Sequence, residues 1–216
     1  MFLDRSDAGR RLATRLSHYR RKNAVVLAVP RGGVPVGYEV SSKLELPLEI
    51  VLTRKIGHPA NPEYAIGAAG LEDVFIRPHA GVKQDYIDKV VSETRERLRS
   101  MHEKFNAGHQ PVSLKGKTVI IVDDGIATGN TMEVTVKIIR QQMPASVIIA
   151  VPVASGEAVR RLKKEADEVI VLLIPIEFYG VGAFYEDFSQ VTDGEVILCL
   201  QRSRGELKNR EHLITP

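Results

Sequence analysis

Apolar residues along this chain fall into two interleaved patterns. Short, dense runs of Val, Ile, Leu and Ala occur at 24–29, 48–52, 119–122, 146–153 and 168–174. Runs of this length, bounded by Gly, Pro or charge, read as strands buried on both faces of a parallel sheet. Between them, apolar residues recur at helical spacing. Residues 5–21 form an amphipathic pattern with Ala8, Leu12, Leu16 and Tyr19 inward, and another helix runs to about Lys43. The longest pattern spans 83–106, with Ile87, Val90, Val91, Thr94, Leu98, Met101 and Phe105 as its inner face; Gly108 and Pro111 stop it. Further helices are predicted at 131–142, 155–164 and 192–201. Alternating strands and helices predict an α/β fold: five strands in a mostly parallel sheet, flanked by helices.

The second strand is expected to end at Thr53-Arg54-Lys55. A Pro/Gly-rich loop follows (57–62), in which His58 reads as a loop cap. Two short β patterns, 64–69 and 74–77, flank a hairpin turn at Gly70-Leu71-Glu72-Asp73. With the long helix, the stretch of about 58–112 reads as an insertion, either a lid or a dimer surface. Asn61, Glu63 and Tyr64 are its candidates to enter a pocket on closure. The pattern sets one domain over 1–202, with a polar, disordered tail over 203–216.

Composition narrows the class. Hydrophobic residues make up 44% of 216, ample for a single core. No run is long enough to span a bilayer and no basic-then-apolar leader is visible, so a cytoplasmic protein with no membrane partner is expected. The one cysteine, Cys199, sits in an apolar segment and reads as a small core residue. Net charge is +3, with +5 in residues 1–22 and +2 in 202–216, leaving −4 for 23–201. A basic N-terminal helix could meet nucleic acid; the expectation is a solvated face, and nucleic acid is not an expected partner.

The most specific segment is Val119-Ile120-Ile121-Val122-Asp123-Asp124-Gly125-Ile126-Ala127-Thr128-Gly129-Asn130-Thr131. A buried strand delivers two adjacent carboxylates. A loop of small and hydroxylated residues then opens into a helix, and such a helix start makes a phosphate cradle. A Walker loop is excluded, because no Lys is present. A dinucleotide fingerprint is excluded too, because its acid follows the glycines by about 20 residues, whereas these acids precede the loop. Asp, Gly and Thr also favour ordinary turns and caps, but order, spacing and flanks agree on the cradle.

This run resembles the signature of the type I phosphoribosyltransferases, which bind phosphoribosyl pyrophosphate (PRPP). Asn130 departs from it, standing where the family more often has a small residue. The resemblance covers roughly 20–200 and implies transfer of the phosphoribosyl group to a nucleobase-like nitrogen, with release of pyrophosphate. On that resemblance Asp123 and Asp124 meet the ribose hydroxyls, beside the carbon where positive charge develops. Gly125, Ile126, Ala127, Thr128, Gly129, Asn130 and Thr131 hold the 5-phosphate. Arg31, Gly32 and Gly33, after the first strand, resemble the pyrophosphate loop, in which the family often has a cis peptide, here before Arg31. Arg54 and Lys55 resemble the basic pair of the adjacent strand. Mg2+ is the implied cofactor, held mainly by substrate oxygens and water.

A C-terminal hood is expected at about 175–190, where five of the chain's twelve Phe and Tyr residues fall. There Phe178 or Tyr179 is the candidate to stack on the acceptor, and Glu186 or Asp187 the acid near the metal. A homo-oligomer is expected from the resemblance. The alternative is a non-catalytic protein of the same fold that senses PRPP or a nucleotide. The acceptor is not legible in the sequence.

Overall fold

The computed structural model describes residues 1–77, 81–106 and 108–214, without the side chains of 62, 63 and 210–214. Its core is a five-stranded, wholly parallel sheet in the order β2-β1-β6-β7-β8. These strands are β1 (Ala24–Ala28), β2 (Leu48–Ile50), β6 (Thr118–Val122), β7 (Ser146–Val153) and β8 (Glu168–Leu173). β1 and β6 pair in register from Ala24 with Thr118 to Ala28 with Val122.

Alternate residues of the same strands serve opposite layers. Val26, Ala28, Ile120, Val122 and Ile148 join α1 (Arg5–Arg15), α2 (Gly33–Leu44) and α6 (Asp193–Ile214) in one buried cluster. Val25, Leu27, Val119, Ile121 and Ile149 join α4 (Asn130–Gln141) and α5 (Gly156–Leu162) in the other. With both faces covered, a strand has no need of polar alternation, which is why these runs are continuously apolar.

Between β2 and β6 the chain builds a second layer. β3 (Arg54–His58), β4 (Asn61–Ala69) and β5 (Val74–Ile76) form an antiparallel sheet, and α3 (Gln84–Asn106) lies against it. The expected long helix is there, but Met101 is exposed rather than inward. β4 also meets α4, where Ala68 packs with Val134 and Ile138. His58 caps its loop as expected, accepting from the Ala60 amide at 3.1 Å.

Two boundary expectations are corrected. The second strand does not run on to Lys55. It leaves the parallel sheet after Ile50, and Arg54 and Lys55 open β3, opposite the small residues Ala69 and Ala68 of β4. Nor does helix give way to a disordered tail at 203: α6 runs unbroken to Ile214. Polar residues just past 202 are bound to the body of the protein. Ser203 is buried, Arg204 donates to Asn106, and Glu206 accepts from the hydroxyls of Tyr38 at 2.6 Å and Ser42 at 2.7 Å. That bond, with burial, pushes the Tyr38 hydroxyl up to about 12.

The chain winds outward from β1 to β2 in one direction and from β6 to β8 in the other. Strand order therefore reverses between β1 and β6. In open α/β sheets the crevice at the carboxyl ends of such a pair is the ligand site.

Candidate active site

Both carboxyl ends at that reversal carry special loops. β6 delivers Asp123 and Asp124, and β1 delivers Val29-Pro30-Arg31-Gly32-Gly33. The two loops are tied together, with Val29 N donating to Val122 O at 2.9 Å and Gly33 N closing on Val29 O at 3.0 Å. The Pro30–Arg31 peptide is cis, as the resemblance implies. The glycines are sterically required. A Cβ on Gly32 would lie 1.9 Å from Asp124 Oδ2, and one on Gly33 would lie 2.8 Å from Asp123 Cα.

The acids differ in their partners. Asp123 Oδ1 accepts from the Asp124 amide at 2.8 Å. Asp124 Oδ2 pairs with Arg5 Nε at 2.9 Å, and its carbonyl accepts from the Tyr185 hydroxyl at 2.6 Å. Burial pushes Asp123 well above the usual carboxylate range, and the neighbouring Asp124 charge adds to this. Burial also raises Asp124, while Arg5 pulls it back. Burial likewise raises the Tyr185 hydroxyl. Raised carboxylates at the carboxyl end of a sheet fit a site that spends stability on function.

The loop after the acids is held at its outer edge. Ile126 N donates to Val153 O at 2.9 Å, Ser155 N to Ile126 O at 3.0 Å, and Ser155 Oγ to Ala127 O at 2.6 Å. Gly129 then takes φ +76° and caps α4, a conformation that glycine adopts without strain. Among the described residues the amides of Ala127, Thr128 and Gly129 donate to no protein acceptor. Ala127 and Thr128 are exposed. Free amides at a helix start form an anion cradle. Asn130 does not disturb it, since its side-chain oxygen turns to accept from Arg161 on α5. Buried Glu133, one turn into α4, gathers Lys137 at 2.6 Å, Arg161 at 3.1 Å and Arg77 at 3.3 Å.

An open cleft of about 400 Å³ lies beside Asp124, lined by Arg5, Arg31, Gly32, Asp124, Phe188, Gln190 and Val191. Arg31 reaches it from the cis loop and pairs with Asp193 at 2.7 Å. Asp193, at the start of α6, is shared with Lys104 of α3, whose hydrogen bond holds its carboxyl low.

Besides Gln190 and Val191, which line the cleft, three residues escape the sequence reading: Arg5, Tyr185 and Phe188. The last two lie in the aromatic stretch already singled out, but it is Phe188 that faces the cleft. Phe178 instead stacks on Phe184 within a small cluster, and Tyr179 is 81% exposed. Asp187 lines a neighbouring groove with Asp4 and Glu195, accepting from Ser189 N at 2.9 Å; Glu186 is exposed. Arg54 and Lys55 are exposed on β3 and do not line this cleft. Tyr64 is exposed, and the side chain of Glu63 lies outside the described residues.

The N-terminal basic residues are largely matched. Arg10 pairs with Glu39, Arg11 with Asp7, and Arg20 and Arg21 with Glu45. Among the described residues no three His, Cys, Asp or Glu side chains converge as a metal site.

Residues 3–187 match the family described as "Phosphoribosyl transferase domain". Two relatives from Mycobacterium tuberculosis, named "Putative phosphoribosyl transferase Rv0571c" and "Putative phosphoribosyl transferase MT0597", are each 39% identical over 208 residues. The match takes in 94% of this chain but 47% of theirs, so the chain spans about half the length of these relatives. The crystal structure of TT1426 from Thermus thermophilus superposes with a TM-score of 0.87 at 42% identity, covering 94% of this chain and 98% of that one.

Proposed function

Because the chain belongs to the phosphoribosyl transferase domain family, we propose that it moves the 5-phosphoribosyl group of PRPP onto a nitrogen of a nucleobase-like acceptor and releases pyrophosphate. One observation carries the reading. Free amides at the start of α4 and the Gly32-Gly33 loop flank an adjacent carboxylate pair, so two anion sites bracket a diol site. PRPP has that layout, with a phosphate at one end, a diphosphate at the other and two hydroxyls between.

In this reading the amides of Ala127, Thr128 and Gly129 bind the 5-phosphate, with the hydroxyls of Thr128 and Thr131 beside them. Peptide dipoles supply the positive field there, so no lysine is needed. Asp123 and Asp124 accept the ribose hydroxyls in charge-assisted bonds. Their charge also opposes the positive charge that builds at C1 as the diphosphate departs. Arg31 and the amide of Gly32 receive the diphosphate, while the Gly33 amide closes the loop on Val29 O.

Mg2+ fits this cleft in company with the substrate. The acid pair offers oxygens, but Arg5 already neutralises one carboxylate. A hard cation would therefore keep its ligands among diphosphate oxygens and water. It supplies charge neutralisation to the leaving group.

The test is pyrophosphate release from PRPP across a panel of purine and pyrimidine bases, with Asp124→Asn beside the wild type. The reading expects release with at least one base and a loss of about 100-fold or more in the variant, the scale seen when one electrostatic stabiliser is removed. Equal rates in both proteins contradict it.

A further inference from the structure

Arg5 has no part in the anion sites just described, yet it is the best-anchored cation in the cleft. Its side chain is 11% exposed, and that of its partner Asp124 is 14% exposed. Nε meets Asp124 Oδ2 at 2.9 Å, while Nη1 donates to the carbonyl of Ser189 at 2.7 Å. The guanidinium lies 4.0 Å from the centroid of the Phe188 ring. Three separate contacts thus fix one planar group. α1 is itself held at that end: Asp4 caps it through the Asp7 amide, and Phe2 exchanges backbone bonds with Phe184 and Glu186.

We propose that Arg5 is the positioning residue of the acid pair, holding the Asp124 carboxylate charged and turned across Gly32 toward the substrate cleft. The proposal rests on the PRPP reading for what Asp124 then binds. The physical need is plain. Two adjacent carboxylates at a half-buried strand end repel each other and are poorly hydrated. Without a counter-ion, one of them takes a proton and becomes a poorer acceptor for a hydroxyl. It is also free to leave the rotamer that faces the cleft.

Arg5 supplies the charge, and its other two contacts keep that charge in place. The oxygen it occupies is Oδ2, which leaves Asp124 Oδ1 and the second oxygen of Asp123 for a diol. A lysine could match the charge but not the fork that reaches Asp124 and Ser189 together over an aromatic face. The groups that face Asp124 are Asp123 on its own loop, Arg5 from α1, Tyr185 from the hood, and Arg31, itself paired with Asp193, from the β1 loop. Asp187 and Glu195 lie within the field of Arg5 but not against Asp124.

Two readouts test this, one of which needs no substrate. Aspartate 13C-carboxyl resonances, with Asp124 assigned through Asp124→Asn, are titrated in wild type, Arg5→Ala, Arg5→Gln and Arg5→Lys. Calorimetry then measures PRPP with Mg2+ on the same proteins. Loss of a close opposite charge should raise the Asp124 midpoint by about one pH unit or more in the Ala and Gln variants, with partial return in Lys. PRPP affinity at neutral pH should fall at least about tenfold in Arg5→Ala, the scale of one lost charge-assisted contact. Arg5→Gln keeps a stem beside Phe188, so agreement between it and Arg5→Ala separates lost charge from lost folding. An unmoved Asp124 titration overturns the proposal. So does PRPP binding that is unchanged or tighter, which would make Arg5 a plug that the substrate must displace. If no protein binds PRPP while the titration still shifts, the PRPP reading fails and the hold of Arg5 on Asp124 stands.

Discussion

Gly32 and Asp124 sit so close that no side chain fits between them. Gly32→Ala would place a methyl 1.9 Å from a carboxylate oxygen, and either the cis loop or Asp124 must move. The expected result is a loss of PRPP affinity of at least about tenfold, since a displacement near 1 Å at a reacting centre is costly. Thermal unfolding should change by only a few degrees, because the loop borders solvent. The carboxylates carry a second expectation. The folded-state pKa of Asp123 lies above its unfolded value of about 4, so the folded state holds the proton more tightly. Stability is therefore lost as pH rises from about 4 through the raised value. Asp123→Asn avoids that loss. Melting curves should show the variant more stable than wild type at pH 8, with the gap closing toward pH 4. A constant gap at all pH values would mean that burial of the charge is not its cause.

At this scale the sequence was legible where the candidate site residues sit in a contiguous run. Asp123 through Thr131 and Arg31 through Gly33 could be found because strand, loop and helix start follow one another in the chain. Arg5 could not. Its partner Asp124 is 119 residues away, and in the sequence it is one basic residue among several on a helix that faces solvent elsewhere. Phe188 was hidden for a related reason. Five rings crowd one loop, and hydrophobicity does not tell which ring turns to a cleft and which, like Phe178, packs against its neighbours.

Among the elements, α6 departs most from its reading. Val196 and Leu200 mark its buried face as periodicity expects. Beyond residue 202 the polar character suggested a tail, but here polar residues are what tie the helix down. Glu206 bonds Tyr38 and Ser42 on α2, and Arg204 bonds Asn106 on α3. Such contacts leave no hydrophobic signal in the sequence. Deleting 203–216 should therefore destabilise the protein, not merely trim it. Three or four hydrogen bonds at roughly 1 kcal/mol each, with about 2–4 °C per kcal/mol at this size, predict a fall of at least about 6 °C in Tm by calorimetry. A fall under about 2 °C would show that the polar turns of α6 contribute little. The break between β2 and β3 was equally silent. The extended run from Leu48 to His58 continues in sequence while it changes sheets in space, and alternation cannot mark that transfer.

For the whole molecule, the reversal of strand order between β1 and β6 brings the loops after both strands to one crevice, where the proposed anion sites meet. α3 and its antiparallel sheet join that site through one shared carboxylate, as Lys104 of α3 and Arg31 of the cis loop both pair with Asp193 of α6. The expected insertion is thus linked to the diphosphate end of the proposed substrate. Arg31→Ala should raise the inhibition constant for pyrophosphate about tenfold while changing that for ribose 5-phosphate less than about threefold, a difference of roughly 1 kcal/mol between the two ends. Equal loss at both ends would indicate a collapsed loop rather than a missing cation.

The most direct measurement is calorimetric titration of PRPP with Mg2+ into the wild type and into Asp123→Asn/Asp124→Asn. The proposed site predicts saturable binding by the wild type and a loss of at least about 100-fold in the double variant, roughly 2.7 kcal/mol, with the fold retained. Equal binding by both proteins, or none by a folded wild type, would contradict it.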